Sequence, residues 1–71
     1  MMKIERAALV YLRRALPHWR QGMAATETKK ILNAIIPSTG NGWNIYAEAC
    51  EALDRAGSDL NAAIATLGGA K

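Results

Sequence analysis

The sequence predicts an all-α fold, a small helical bundle of four segments, and three observations carry that expectation. Apolar residues recur at helical spacing through most of the chain. The breakers Pro17, Pro37, Gly40, Gly42 and Gly57 fall between the periodic stretches rather than inside them. The run from Ala52 to Leu67 reads as a helix ending at a glycine, a two-residue corner and a short amphipathic helix returning at once.

The first segment, about Met2 to Leu16, places Ile4, Ala7, Ala8, Leu9, Tyr11, Leu12, Ala15 and Leu16 on a broad apolar face. Lys3, Arg6, Arg13 and Arg14 fill the remaining arc around Val10, so this is a basic amphipathic helix over residues 1–16. Pro17 should stop it, because proline disfavours the helical conformation of the residue before it. His18 to Gly22 is then a connector. A second helix is expected from Ala24 or Thr26 to Ile36, with Thr26 as N-cap, Glu27 at the positive end of the dipole, and Thr28, Ile31, Leu32 and Ile35 facing inward.

Pro37 closes the second helix, and Ser38–Gly42 is a turn in which two glycines can take positive φ. The third helix should begin near Trp43 or Asn44, with Ile45, Ala49, Ala52, Leu53 and Ala56 on one face and Glu48, Glu51 and Asp54 elsewhere. Gly57 suits the residue after its C-cap, Ser58 or Asp59 can cap the next helix, and Leu60, Ala63, Ile64 and Leu67 form the last stripe. Gly68 opens a short tail over 68–71.

A chain of 71 residues holds one domain, and at that size about 60% of the unfolded surface is buried. Such cores supply roughly 3–5 kcal/mol, so a second copy that covers more surface, a homodimer, is compatible with the composition. There is no Phe, and abundant alanine lets helices approach closely, which leaves no evident room for an internal cofactor. Cys50 is the only cysteine, which excludes an intrachain disulfide and fits a reducing compartment. No run reaches the roughly 20 apolar residues of a membrane span, and nothing resembles a signal peptide, so the expected location is cytoplasmic with no membrane partner.

Several residue patterns resemble a known family. Thr39-Gly40-Asn41-Gly42-Trp43 matches the Thr-Gly-x-Gly loop with a following apolar residue that joins the first two helices of the N-terminal domain of bacterial elongation factor Ts. Ala52, Leu53, Ala56, Asp59, Ala63 and Ile64 match the pattern of its last two helices. Residues 24–67 therefore resemble a UBA-like (ubiquitin-associated) three-helix unit, preceded by the basic helix, which is an addition outside the match. The stretch between the loop and the Ala-Leu pair is about one helical turn longer than in elongation factor Ts, and the nucleotide-exchange core of that factor is absent. Gly42-Trp43 and Thr66-Leu67 also stand where ubiquitin binders carry Met-Gly-Phe or Met-Gly-Tyr and a di-leucine. The resemblance implies a fold and a habit of binding proteins through the first loop and last helix; it implies no substrate.

Chemistry is poorly provided for. One His, one Cys, no Gly-rich phosphate loop and no paired metal ligands lead to no expected catalytic, cofactor-binding or metal site. His18 reads as an exposed turn histidine and Cys50 as a small core residue. Trp43 after a glycine turn suits either a plug in the domain's own core, the reading favoured here, or an exposed interface anchor, since Trp is enriched in binding hot spots. Trp19 suits either partner contact or a cover over the joint between the first two helices.

Charge is uneven. Over 1–36, Lys3, Arg6, Arg13, Arg14, Arg20, Lys29 and Lys30 stand against Glu5 and Glu27, a balance of +5; over 37–71, Arg55 and Lys71 stand against Glu48, Glu51, Asp54 and Asp59, a balance of −2. The expected function is a non-catalytic protein–protein interaction module, a small adaptor or inhibitor of a larger bacterial protein with the character of a phage or mobile-element accessory factor. Its expected contact residues are Gly40, Asn41, Gly42 and Trp43 with Trp19, Arg13 and Arg14. The alternative is a small basic nucleic-acid-binding regulator that contacts phosphate through Lys3, Arg6, Arg13, Arg14, Arg20, Lys29 and Lys30. A third arrangement is a homo-oligomer zipped through Leu9, Leu12 and Leu16 of the first helix.

Overall fold

Four helices account for the described part of the chain, residues 3–68 of the computed structural model: α1 Lys3–Ala15, α2 Ala25–Ile35, α3 Gly42–Arg55 and α4 Leu60–Gly68. The all-α expectation holds. Met2, the Lys3 side chain and residues 69–71 of the expected tail lie outside the described residues, while Gly68 closes α4.

Pro17 acts as anticipated. The chain leaves α1 in a single 3₁₀ turn, Leu16–His18, and the Trp19 N–H donates to the Leu16 carbonyl at 3.1 Å. The start of α2 differs from expectation. Thr26 is not the N-cap; Ala24 occupies that position in an extended conformation and offers no side-chain cap, and Thr26 lies exposed in the first turn. Thr28 decides this. Its side chain is fully buried with Leu32 one turn on and Ile36 one turn further, so the helix must already be wound at Thr28. The buried hydroxyl satisfies itself by donating to the Ala24 carbonyl at 3.2 Å, a local bond that removes the penalty of an unpaired polar group.

The α3–α4 corner forms as the sequence suggests. Ala56 is the C-cap, Gly57 follows at φ +65°, the Ser58 N–H reaches back to the Leu53 carbonyl at 2.8 Å and the Gly57 N–H to Asp54 at 3.3 Å. This is a Schellman closure. Of the two candidate caps for α4, Asp59 serves: its Oδ1 accepts the Ala62 N–H at 3.1 Å. That bond, then a second from Gln21 Nε2 at 3.3 Å, holds the Asp59 carboxyl below its ordinary pKa.

α1 packs against each of the other three helices, most extensively α3, so its Ala8, Leu12 and Ala15 share one core with the rest. Leu32, Ile36, Ala49, Ala52, Leu53, Leu60 and Ala63 complete it. Leu12, Leu32, Leu53 and Leu60 are wholly enclosed, and such burial contributes about 1.5–3 kcal/mol each. Five of the ten enclosed core residues are alanine, which is what lets short helices meet without large voids. Leu12 lies in this core and Leu9 is buried at 8% exposure, while Leu16 is only partly buried against it, so two of the three residues of the expected zipper seam are enclosed within the protomer. No helix among the described residues is long and apolar enough to cross a membrane.

Candidate functional site

The corner between α2 and α3 owes its shape to a close backbone approach. Ile36 leaves α2 in an extended conformation and Pro37 fixes the next step. Gly40 takes φ +60°, and the Gly42 N–H then donates to the Thr39 carbonyl at 3.0 Å. Gly42 is buried and is the first residue of α3. It does not need positive φ, contrary to the expectation for this turn. Its requirement is space: a Cβ at Gly42 would overlap the Pro37 carbonyl oxygen and lie 2.7 Å from the carbonyl carbon.

That approach turns Trp43 outward. The indole is 74% exposed, which overturns its favoured placement as a core plug. The helical register supplies the reason. Gly42, Ala49, Ala52 and Leu53 point to the core with Ile45 beside them, and Trp43 sits one step of about 100° away from that line. The joint is filled by the glycine backbone against Pro37, so no aromatic plug is required. Trp43 instead leans on Tyr46, one turn further along α3, with ring centroids 6.1 Å apart and an angle of 32° between the planes.

The aromatic pair borders a notch of about 80 Å³ lined by Asn33, Ile36, Pro37, Ser38, Gly42, Trp43 and Tyr46. Asn33, Ile36, Pro37, Ser38 and Tyr46 are the lining residues that sequence reasoning missed. Tyr46 was detectable as the helical neighbour of Trp43 at i+3. The contribution of α2 was not, because it depends on how two helices meet. Tyr46 is tied to the fold on its inner side: a hydrogen bond with Cys50 first, then partial burial, raises the phenol pKa. Partial burial likewise raises the Cys50 thiol despite that hydrogen bond. The thiol is half-buried rather than a fully enclosed core residue.

Of the other expected contact residues, only Gly42 borders the notch. Gly40 and Asn41 are exposed on the loop, but Gly42 is buried and has no side chain to offer a partner. Trp19 packs onto the core as a cover over the joint after α1; its Nε1 is buried with no acceptor among the described residues. Its neighbour Gln21 is tied by hydrogen bond to the α3–α4 corner. Arg6, Arg13 and Arg14 are exposed on the outer face of α1 around Val10, with the Arg14 guanidinium 5.4 Å from the centre of the Tyr11 ring. Arg20 and Lys30 are exposed as well. Lys29 is spent in an ion pair with Asp54 at 3.3 Å, which links α2 to α3.

A broader trough of about 520 Å³ runs between the start of α1 and the outer side of α3, lined by Ile4, Glu5, Asn44, Ala47, Glu48, Cys50, Glu51 and Asp54. Asp54 is paired with Lys29, and Glu51 with Arg55, each at 3.3 Å. No cluster of three or more His, Cys, Asp or Glu among the described residues is arranged to hold a metal ion. No family model matches the chain, and no curated protein or solved structure was found to match it.

Proposed function

We propose that this chain is a non-catalytic protein-interaction module that works as a small adaptor or inhibitor of a larger bacterial protein, in the manner of a phage or mobile-element accessory factor. The observation that carries the reading is the outward Trp43. A large apolar side chain at 74% exposure costs solubility and adds nothing to the core, yet it is held in place by the Gly42–Pro37 contact and by Tyr46. Tryptophan beside a rigid, partly apolar notch is the composition of an interface hot spot. The resemblance to UBA-like domains agrees with this reading, since it predicts partner contact through the loop that ends in Trp43. We take the cytoplasm as its place of action, on the reduced state expected of Cys50.

The direct test is affinity capture from nuclease-treated bacterial lysate with the tagged chain and its Trp43→Ala variant side by side. Near-stoichiometric retention of one protein by the parent, lost with Trp43→Ala, supports the reading. Equal retention by both, or none by either, refutes it.

One observation favours a second reading. Arg6, Arg13, Arg14, Arg20 and Lys30 are exposed and engage no carboxylate among the described residues, which suits phosphate contact. Under that reading affinity for a duplex oligonucleotide falls steeply as salt rises, and Arg13→Ala or Arg14→Ala weakens binding to all sequences alike.

A further inference from the structure

The notch beside Trp43 has a definite size and sign. Its volume of about 80 Å³ offers room for the end of one branched aliphatic side chain. None of its seven lining residues is charged. Its surroundings differ on the two flanks. On the α2 flank, Lys30 stands one turn before Asn33 on the same helical face, exposed and without an ion pair among the described residues, whereas Lys29 is already held by Asp54. The α3 carboxylates Glu48, Glu51 and Asp54 line the separate trough, where Asp54 and Glu51 are already held by Lys29 and Arg55. A partner segment entering the notch therefore meets an exposed cation on the α2 side.

We propose that the notch takes a leucine-sized apolar side chain from a partner segment that carries an adjacent Asp or Glu, with the acidic residue directed to Lys30 on α2. The inference rests on the interaction-module reading and adds the chemistry of the partner. The apolar anchor gains from burial against Ile36, Pro37 and the two aromatic rings, while the lysine sets the orientation and rejects basic segments.

The experiment uses the full chain and a panel of short synthetic peptides. Each has a central Leu or Ile flanked by Asp/Glu, by Ser/Gln or by Lys/Arg, and the two indole N–H resonances are followed by NMR, with Trp43 assigned from Trp43→Phe. The expected result is binding of the acidic-flanked peptides with movement of the Trp43 signal and not of Trp19. Trp43→Ala should weaken that binding about tenfold or more. Lys30→Glu, an exposed helix substitution that leaves the fold intact, should shift the preference to Lys/Arg-flanked peptides. A Trp43-dependent preference for neutral or basic flanks overturns the proposed chemistry while leaving the interaction module standing. Binding that leaves the Trp43 signal in place overturns the site. Retention of no peptide overturns the proposal as well, and the module reading is then judged separately by its Trp43-dependent capture. Tighter binding of a mixed-sequence duplex oligonucleotide through Lys30 than of any acidic peptide also overturns it.

Discussion

The chain enters α3 past Gly42 and leaves it past Gly57, and the two glycines answer opposite needs. At the exit the requirement is dihedral. Gly57 takes φ +65° with open space where a Cβ would stand, and Ser58 follows at φ +66° even though a side chain disfavours that region. At the entrance the requirement is steric, since Gly42 is helical but pressed against the Pro37 carbonyl. The exit corner closes on itself, with its carbonyls satisfied by the Schellman bonds and Asp59 capping α4. The entrance corner is tightly built underneath and open above, where Trp43 stands exposed beside the notch. A corner that ends only in its own hydrogen bonds serves the fold. A corner that is rigid and still presents a tryptophan is positioned to serve a partner.

Substitutions at the two corners separate these roles. Gly42→Ala should have the largest effect, a loss of more than about 3 kcal/mol or failure to fold, because backbone rather than a mobile side chain occupies the space; thermal unfolding followed by circular dichroism measures it. A Gly42→Ala variant as stable as the parent would mean that the α2–α3 corner opens cheaply. Gly57→Ala should cost about 1–2 kcal/mol, the penalty of the left-handed region without a clash. Ser58→Gly should run the other way and stabilise by about 0.5–1 kcal/mol, the relief at Ser58 exceeding the added freedom of the unfolded chain.

Smaller effects follow at the cap and at the aromatic. Asp59→Ala should lower the melting temperature while Asp59→Asn largely preserves it, because the amide oxygen can still accept the Ala62 N–H. The folded pKa of Asp59 lies below its unfolded value, so its contribution is complete at neutral pH and declines as acid titration passes below about pH 4. The difference between parent and Asp59→Ala should therefore shrink in acid, and a difference that grows there would contradict the cap. Trp43→Ala should change stability by less than about 0.5 kcal/mol while abolishing partner capture, and a large loss of stability would place Trp43 in the fold after all.

The helices were legible because their signals are local. Periodic apolar residues, Pro17, Pro37 and the Gly57–Asp59 corner act within one or two turns of themselves, so segment order and the closure at Gly57 could be read from the chain. Thr26 misled because capping preference is weak, about 1 kcal/mol, against the burial of Thr28, Leu32 and Ile36 along one face. Trp43 misled for a related reason. A tryptophan after a glycine turn is compatible with either side of a helix, and only the contact of Gly42 with Pro37 selects the outer one.

By itself, then, the sequence determined that the chain is all-α, where each helix ends, and which stripe of each helix is apolar, since these depend on neighbours along the backbone. The tertiary structure decided that α1 is part of the shared core, that Gly42 is enclosed and Trp43 is not, that Lys29 is bound to Asp54 while Lys30 has no ion pair among the described residues, and that α2 and α3 together form a notch. Each of these depends on the approach of residues distant in sequence, and packing between helices, unlike helical periodicity, leaves no repeating signature in a single chain.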